Sequence, residues 1–247
     1  MGNVFREKSF YIYVLTPVLV GLMIAVPILL YFHFRPGPGE LPIWVFNTET
    51  QTYMFNGSPT WNNPNNSKIE IPEYRERDGE KFYVTEIGAN AFRNFRYLTE
   101  ITLPDTIVEI HDSAFRNTAL TEIDIPNSVV RMGHSVFRDN DKLESIYFST
   151  NPLFIEIPAD AFRDAVSLTT IELPSNIIRI GANAFNGCTE LKTVTIRHTA
   201  GVVSIVYNTF ANTDIYEILV MNQTVIGLYW LSDMWRWARD QNIIWVL

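Results

Sequence analysis

IIRIGANAFNGCTELKTVTI (177–196) decides the fold. Its apolar residues fall into two blocks joined by a polar turn. Ile177 and Ile180 lead into Ala184-Phe185; Leu191, Val194 and Ile196 follow. Val194 and Ile196 stand two apart, the spacing of a half-buried strand. The arrangement recurs. VTEIGANAF (84–92), IVEIHDSAF (107–115), VVRMGHSVF (129–137), FIEIPADAF (154–162) and VVSIVYNTF (202–210) align with IIRIGANAF (177–185) without gaps. Their phenylalanines, at 92, 115, 137, 162, 185 and 210, are spaced by 23, 22, 25, 23 and 25 residues. Each is followed by a second block: LTEITLP (98–104), LTEIDIP (120–126), LESIYFS (143–149), LTTIELP (168–174), LKTVTIR (191–197) and IYEILVM (215–221).

A unit of about 23 residues cannot bury its apolar side alone, but stacked units can. The repeat predicts a solenoid, β-rich, with parallel strand ladders joined by tight or short helical turns. Rungs about 4.8 Å apart would make six units a stack about 25–30 Å long. The six phenylalanines would form an aromatic ladder along its interior. Gly88, Gly133 and Gly181 share a column at a bend, which His111, Pro158 and Val206 fill elsewhere.

This pattern resembles the BspA-like, or type-five, leucine-rich repeat family, which reads approximately I-x-x-I-G-x-x-A-F-x-x-C-x-x-L-x-x-I-x-I-P. Residues 177–196 match nearly throughout, with Cys188 in the cysteine column. Phe95, Asn140 and Ala165 hold that column in other units, and the second unit is one residue short there. IEIPEYRERDGEKFYVTEIG (69–88) is similar to the family's lead-in, and the likeness spans 68–220. It implies a leucine-rich-repeat solenoid used for protein binding or adhesion, with no catalytic residues.

The open ends of a stack need covers. IWVFNTETQTYMFNG reads as a β-hairpin, so 43–83 is expected to be an N-terminal hairpin cap and entry, followed by six repeats over 84–221. Residues 222–247 carry four of the six tryptophans and read as a C-terminal aromatic cap, with a helix start at Ser232-Asp233.

Upstream, SFYIYVLTPVLVGLMIAVPILLYF (9–32) contains no charge over 24 residues. As a helix it would be about 36 Å long, enough to cross a hydrocarbon core of about 30 Å with some tilt. The reading is an N-terminal tail (1–8), one transmembrane helix (9–34) contacting membrane lipid, and a Pro/Gly linker (35–42). Arg6 and Lys8 precede the span and Arg35 follows it, which weakly places the N-terminus on the cytoplasmic (or equivalent) side and the repeats opposite. The alternative is a cleaved signal peptide and a secreted binder, but the apolar run is long and no small-residue cleavage site ends it.

The chain has 19 Lys+Arg against 27 Asp+Glu, a net charge of −8 that argues against nucleic-acid binding. A lone cysteine, Cys188, excludes an internal disulfide and a cysteine-cluster zinc site. No phosphate loop, dinucleotide motif, nucleophile elbow or zinc-protease helix is present. No catalytic, cofactor or metal residue is assigned, and a glycan-acting hydrolase is the weakest alternative. Asn56, Asn65 and Asn222 head N-glycosylation sequons.

Two columns are candidates for binding a protein partner. Glu100, Thr102, Glu122, Asp124, Tyr147, Glu172 and Thr195 should face outward from the strands. There a regular sheet can meet another protein, with Tyr147 as anchor. Arg93, Arg116, Arg138 and Arg163 each follow a ladder phenylalanine and would form a basic stripe for acidic partners or lipid headgroups. Alternatively Asp112, Asp139 and Asp164 neutralise it. The functional expectation is a membrane-anchored repeat protein that mediates protein–protein interaction, as a surface module or as a subunit of a larger membrane assembly.

Overall fold

A computed structural model describes residues 42–58, 60–196 and 203–215, and the backbone of 217–220 and 244–246. The expected membrane span and the helix expected from Ser232 lie outside those residues. Among the described residues there is no α-helix, and hence none long and apolar enough to cross a membrane.

The described chain begins with a hairpin of β1 (Trp44–Asn47) and β2 (Thr52–Phe55). A short strand follows, β3 (Lys68–Glu70). A second hairpin joins β4 (Tyr74–Arg77) to the first half of β5 (Glu80–Ile87). Its Asp78-Gly79 turn has φ of 54° and 83°, the double left-handed turn that matches strand twist. The hairpins pack through Phe46 on Phe82, with the Arg75 and Arg77 guanidiniums 4.7 and 4.6 Å over the Trp44 and Phe46 rings.

Beyond β5 every repeat supplies two strands, and equivalent strands stack in parallel. The first ladder runs from β2 through the end of β5 to β7 (Glu109–Ile110) and β9 (Arg131–Met132), and resumes after a break in strand pairing with β11 (Glu156–Ile157), β13 (Arg179–Ile180) and β15 (Ser204–Ile205). The second contains β3, β6 (Glu100–Thr102), β8 (Glu122–Asp124), β10 (Ser145–Tyr147), β12 (Thr170–Leu173), β14 (Thr193–Ile196), β16 (Glu217–Val220) and β17 (Ile244–Val246). Sequence columns become columns in space. Ile87 registers with Ile110 and Ile110 with Met132; Ile171 registers with Val194 and Val194 with Ile218. The inward aliphatics of the described side chains are buried, except Ile205, which is partly buried.

A third side of the coil is a turn around each phenylalanine. Phe92, Phe115, Phe137, Phe162, Phe185 and Phe210 stack at 5.2–5.5 Å between centroids, their planes within 4–11° of parallel. The ladder extends upstream of the repeats: Phe55 stacks on Phe92 at 4.8 Å and on Trp61 at 5.3 Å. Two residues per turn have left-handed backbone, one two residues before the phenylalanine (Asn90, Ser113, Ser135, Asp160, Asn183, Asn208) and one two after (Asn94, Asn117, Asp139, Asp164, Gly187, Asn212). Asn, Asp and Gly tolerate that conformation best. The alternation prevents helix and aims every second N–H along the stack. Phe92 N–H donates to Ala114 O at 2.7 Å, Phe115 N–H to Val136 O at 3.0 Å, and Phe137 N–H to Ala161 O at 2.8 Å. At Gly133 and Gly181 an added Cβ would run into the backbone of the preceding coil, at Asp112 and Ala159, which explains the absent side chains.

Irregular repeat lengths interrupt the second ladder. The second unit is a residue short after its phenylalanine, and Asn140 Oδ1 compensates by accepting Thr118 N–H at 2.8 Å inside the core. The third unit has two extra residues near 149–153. Its loop is held by Asn127 Oδ1, which accepts Thr150 N–H at 2.8 Å, and by Ser149 Oγ–H, which donates to Val129 O at 2.9 Å. Strand pairing breaks at these places, leaving β3–β6, β8–β10 and β12–β14–β16–β17 as separate sheets, and the long third unit also divides the first ladder between β9 and β11.

Phe162 is fully buried between Phe137 and Phe185. Phe162→Ala should remove about 3–5 kcal/mol of stability. Phe162→Leu should cost clearly less. Urea unfolding of the two variants measures the difference, and equal midpoints would count against a ladder that holds adjacent coils together.

Candidate functional site

The second ladder buries its central column and turns the flanking residues outward. Glu100 and Thr102 on β6, Glu122 and Asp124 on β8, Tyr147 on β10 and Glu172 on β12 are exposed on one face, with Thr195 on β14 half-buried beside them. Tyr147 lies opposite Asp124, and Glu172 opposite Thr195. Tyr147, on the edge strand of the two-stranded β8–β10 sheet, is 60 % exposed, so the phenol stands out from this face. The seven residues therefore form one surface of two adjacent columns.

Lys68 and Glu70 on β3 extend that face by another rung, Lys68 registering with Glu100 and Glu70 with Thr102. The Lys68 ammonium lies 2.5 Å from the Glu100 carboxylate, which raises its pKa. The cap and entry expected over 43–83 includes this segment. The signal was nevertheless present, because KIEIP (68–72) carries the same alternation as EITLP (100–104).

The four arginines also share an edge, but three of them face carboxylates. Arg116 Nε and Nη2 both reach Asp139 Oδ2 at 2.8 Å. Arg138 Nε lies 3.5 Å from Asp139 Oδ1. Arg163 Nη1 lies 3.3 Å from Asp160, and its Nε 3.5 Å from Asp164. Arg93 is exposed and donates to Asn90 Oδ1 at 3.2 Å. Carboxylates of the same turn, and for Arg116 of the next coil, thus lie against most of the stripe's positive charge.

A charged cluster crosses three rungs of the first ladder. His111 Nε2 is 2.7 Å from Glu86 Oε2 and its Nδ1 3.5 Å from Glu109 Oε1, while Arg131 Nη2 lies 2.5 Å from Glu109. The hydrogen bond to Glu86 raises the His111 pKa above its usual 6.5, and the same bond lowers that of Glu86 below 4.5. Cys188 is buried, its thiol donates to Phe162 O at 3.1 Å, and burial pushes its pKa up to about 12, so it has no thiolate character at neutral pH. Among the described residues no three His, Cys, Asp or Glu side chains are placed to hold a metal ion.

The family model described as BspA type leucine-rich repeat region matches residues 62–156 and 155–234 in six copies. The chain belongs to this family. No curated protein matches the chain. Among solved structures, the leucine-rich repeat protein of T. pallidum is 19% identical at a TM-score of 0.50, covering 86% of this chain and 98% of its own. One from Eubacterium ventriosum is 17% identical at a TM-score of 0.50, with 75% of this chain and 52% of that one covered. The pneumococcal vaccine antigen PcpA is 17% identical at a TM-score of 0.48, over 68% and 57%. At these identities the likeness concerns the fold.

For this BspA-type repeat protein, the His111 cluster sets a pH window. The raised His111 pKa contributes stability below about 6.5, lost as pH rises through the folded value. The lowered Glu86 pKa contributes above about 4.5, lost as pH falls through its folded value. The two overlap between those limits. His111→Gln should therefore cost most near pH 5–6 and progressively less at higher pH, as measured by urea midpoints across pH; a cost independent of pH would contradict the ion pair.

Proposed function

We propose that this leucine-rich repeat protein recognises another protein through its exposed strand face. The supporting observation is the single surface formed by Glu70, Glu100, Glu122, Asp124, Tyr147 and Glu172. A parallel sheet fixed by a packed core loses little entropy on binding, which favours such a surface as a docking plate. Its first rungs are rich in carboxylates, with Lys68 paired to Glu100 among them. That character suits a partner presenting Lys and Arg, and the exposed Tyr147 ring supplies the apolar anchor.

The reading includes a membrane anchor. The uncharged run 9–32 would cross one bilayer, the Pro/Gly linker would hold the repeats off the lipid, and Arg6 and Lys8 favour a cytoplasmic (or equivalent) N-terminus with the repeats on the other side. On that basis the protein acts as a surface recognition module or as a structural subunit of a membrane assembly. Crosslinking mass spectrometry on native membranes distinguishes the two: stoichiometric crosslinks to constant neighbours in the same membrane indicate a subunit.

Once the partner is captured, Tyr147→Ala should weaken binding by about 2 kcal/mol, roughly 30-fold, and Glu122→Lys with Asp124→Lys should abolish crosslinks across this face. Crosslinks that map elsewhere and survive these changes would remove the strand face from the proposal. The anchor is tested separately by the intact mass of the mature chain. Full mass is expected; loss of about 3–4 kDa from the N-terminus identifies a cleaved signal and a secreted binder.

A further inference from the structure

The outer surface of the first ladder carries two adjacent columns that neither the fold nor the strand face accounts for. One column is aliphatic: after Thr85 come Val108, Val130, Ile155 and Ile178, and it ends at Val203, which is buried in the core. Val108, Ile155 and Ile178 are 41, 43 and 45 % exposed, and Leu153, in the two-residue insertion of the third repeat, is 67 % exposed beside them. Thr85 shows that the backbone accepts a polar residue here, so a run of β-branched aliphatics in water is not a requirement of the coil. The second column reads Glu86, Glu109, Arg131, Glu156, Arg179 and Ser204. Its charges alternate from Glu109 onward and neutralise one another between coils, Arg131 lying 2.5 Å from Glu109 and Arg179 3.5 Å from Glu156. The result is a neutral, ribbed, partly apolar strip along the side of the stack, the kind of surface that associates.

We propose that two copies of this chain pair along this strip, antiparallel, about a two-fold axis between the third and fourth repeats. The order of the charges selects that arrangement. With the axis there, Arg131 of one copy opposes Glu156 of the other, and Glu109 opposes Arg179. In the aliphatic column Val130 meets Ile155 and Val108 meets Ile178, while Leu153 of each copy lies at the axis. Sliding one copy by a single repeat places Arg131 opposite Arg131 or opposite Arg179. A parallel pairing in register places every charge opposite itself. The antiparallel register centred between the third and fourth repeats matches both columns over the four central coils, and a two-fold interface has to be self-complementary in this way.

The strip is about 25 Å long and two side chains wide, smaller than the roughly 800 Å² per partner of a standard stable interface. The pairing is therefore weak and reversible. Sedimentation velocity of the full chain in mild detergent, up to about 100 μM, should show monomer and dimer in concentration-dependent exchange. Arg131→Glu and Glu156→Arg should each raise the dissociation constant at least about tenfold, because each opposes like charges twice across the axis. An equal mixture of the two variants should recover the original association. In the mixed pair the carboxylate introduced at position 131 faces the guanidinium introduced at position 156, and the native Glu156 of the first variant faces the native Arg131 of the second. Both chains still lack their internal ion pairs in that mixture, so recovery separates pairing from damage to the fold. A chain that stays monomeric throughout this range, association unaffected by either reversal, or a mixture no better than its components would each overturn the proposal.

Discussion

Each coil has to return its phenylalanine to a position about one strand spacing above the previous ring. The rings meet at 5.2–5.5 Å and nearly parallel, which sets the rise on the turn side, while hydrogen-bonded strands set a similar rise on the other two sides. A unit that is too long or too short can only bulge outward, because its core residues are held above and below. The observed length changes obey that limit. The short second unit is compensated by the buried amide of Asn140, and the long third unit is accommodated in a surface loop held by Asn127 and Ser149. The aromatic ladder continues through both irregularities, whereas the strand ladder does not.

Stacking also governs electrostatics. A residue repeated at one position lies about 5 Å from its copies, so a charged column repels itself unless neighbouring columns or alternate coils supply the opposite sign. Among the arginines after the phenylalanines, Arg116 pairs with Asp139 of the next coil, while Arg138 and Arg163 face aspartates of their own turns. The first ladder solves it by alternating Glu and Arg along one column. The outward strand face is treated differently: carboxylates cluster over the first rungs, beside Lys68, and hydroxyls follow. The uneven balance of that face, rather than the presence of charge alone, distinguishes it from the other outward columns.

Much of the architecture was legible because it repeats. The phenylalanine, isoleucine and leucine columns recur at fixed offsets within each unit, and in space they are the core. Features that occur once were harder to read. Phe55 continues the aromatic stack from a hairpin with no repeat around it, and β17 adds a strand at the chain end. The left-handed residues on both sides of each phenylalanine were visible as Asn, Asp, Ser and Gly columns, yet their conformation follows from hydrogen bonds to the next coil, which no single unit contains.

The sequence by itself determined that the units stack, which residues line the interior, and which family the chain resembles, because burial with a fixed period leaves a pattern that survives substitution. Only the tertiary structure decided which outward columns become neighbours and which charges cancel. Between coils those relations join residues 22 to 32 positions apart, and their distances depend on how each coil closes on the one before it.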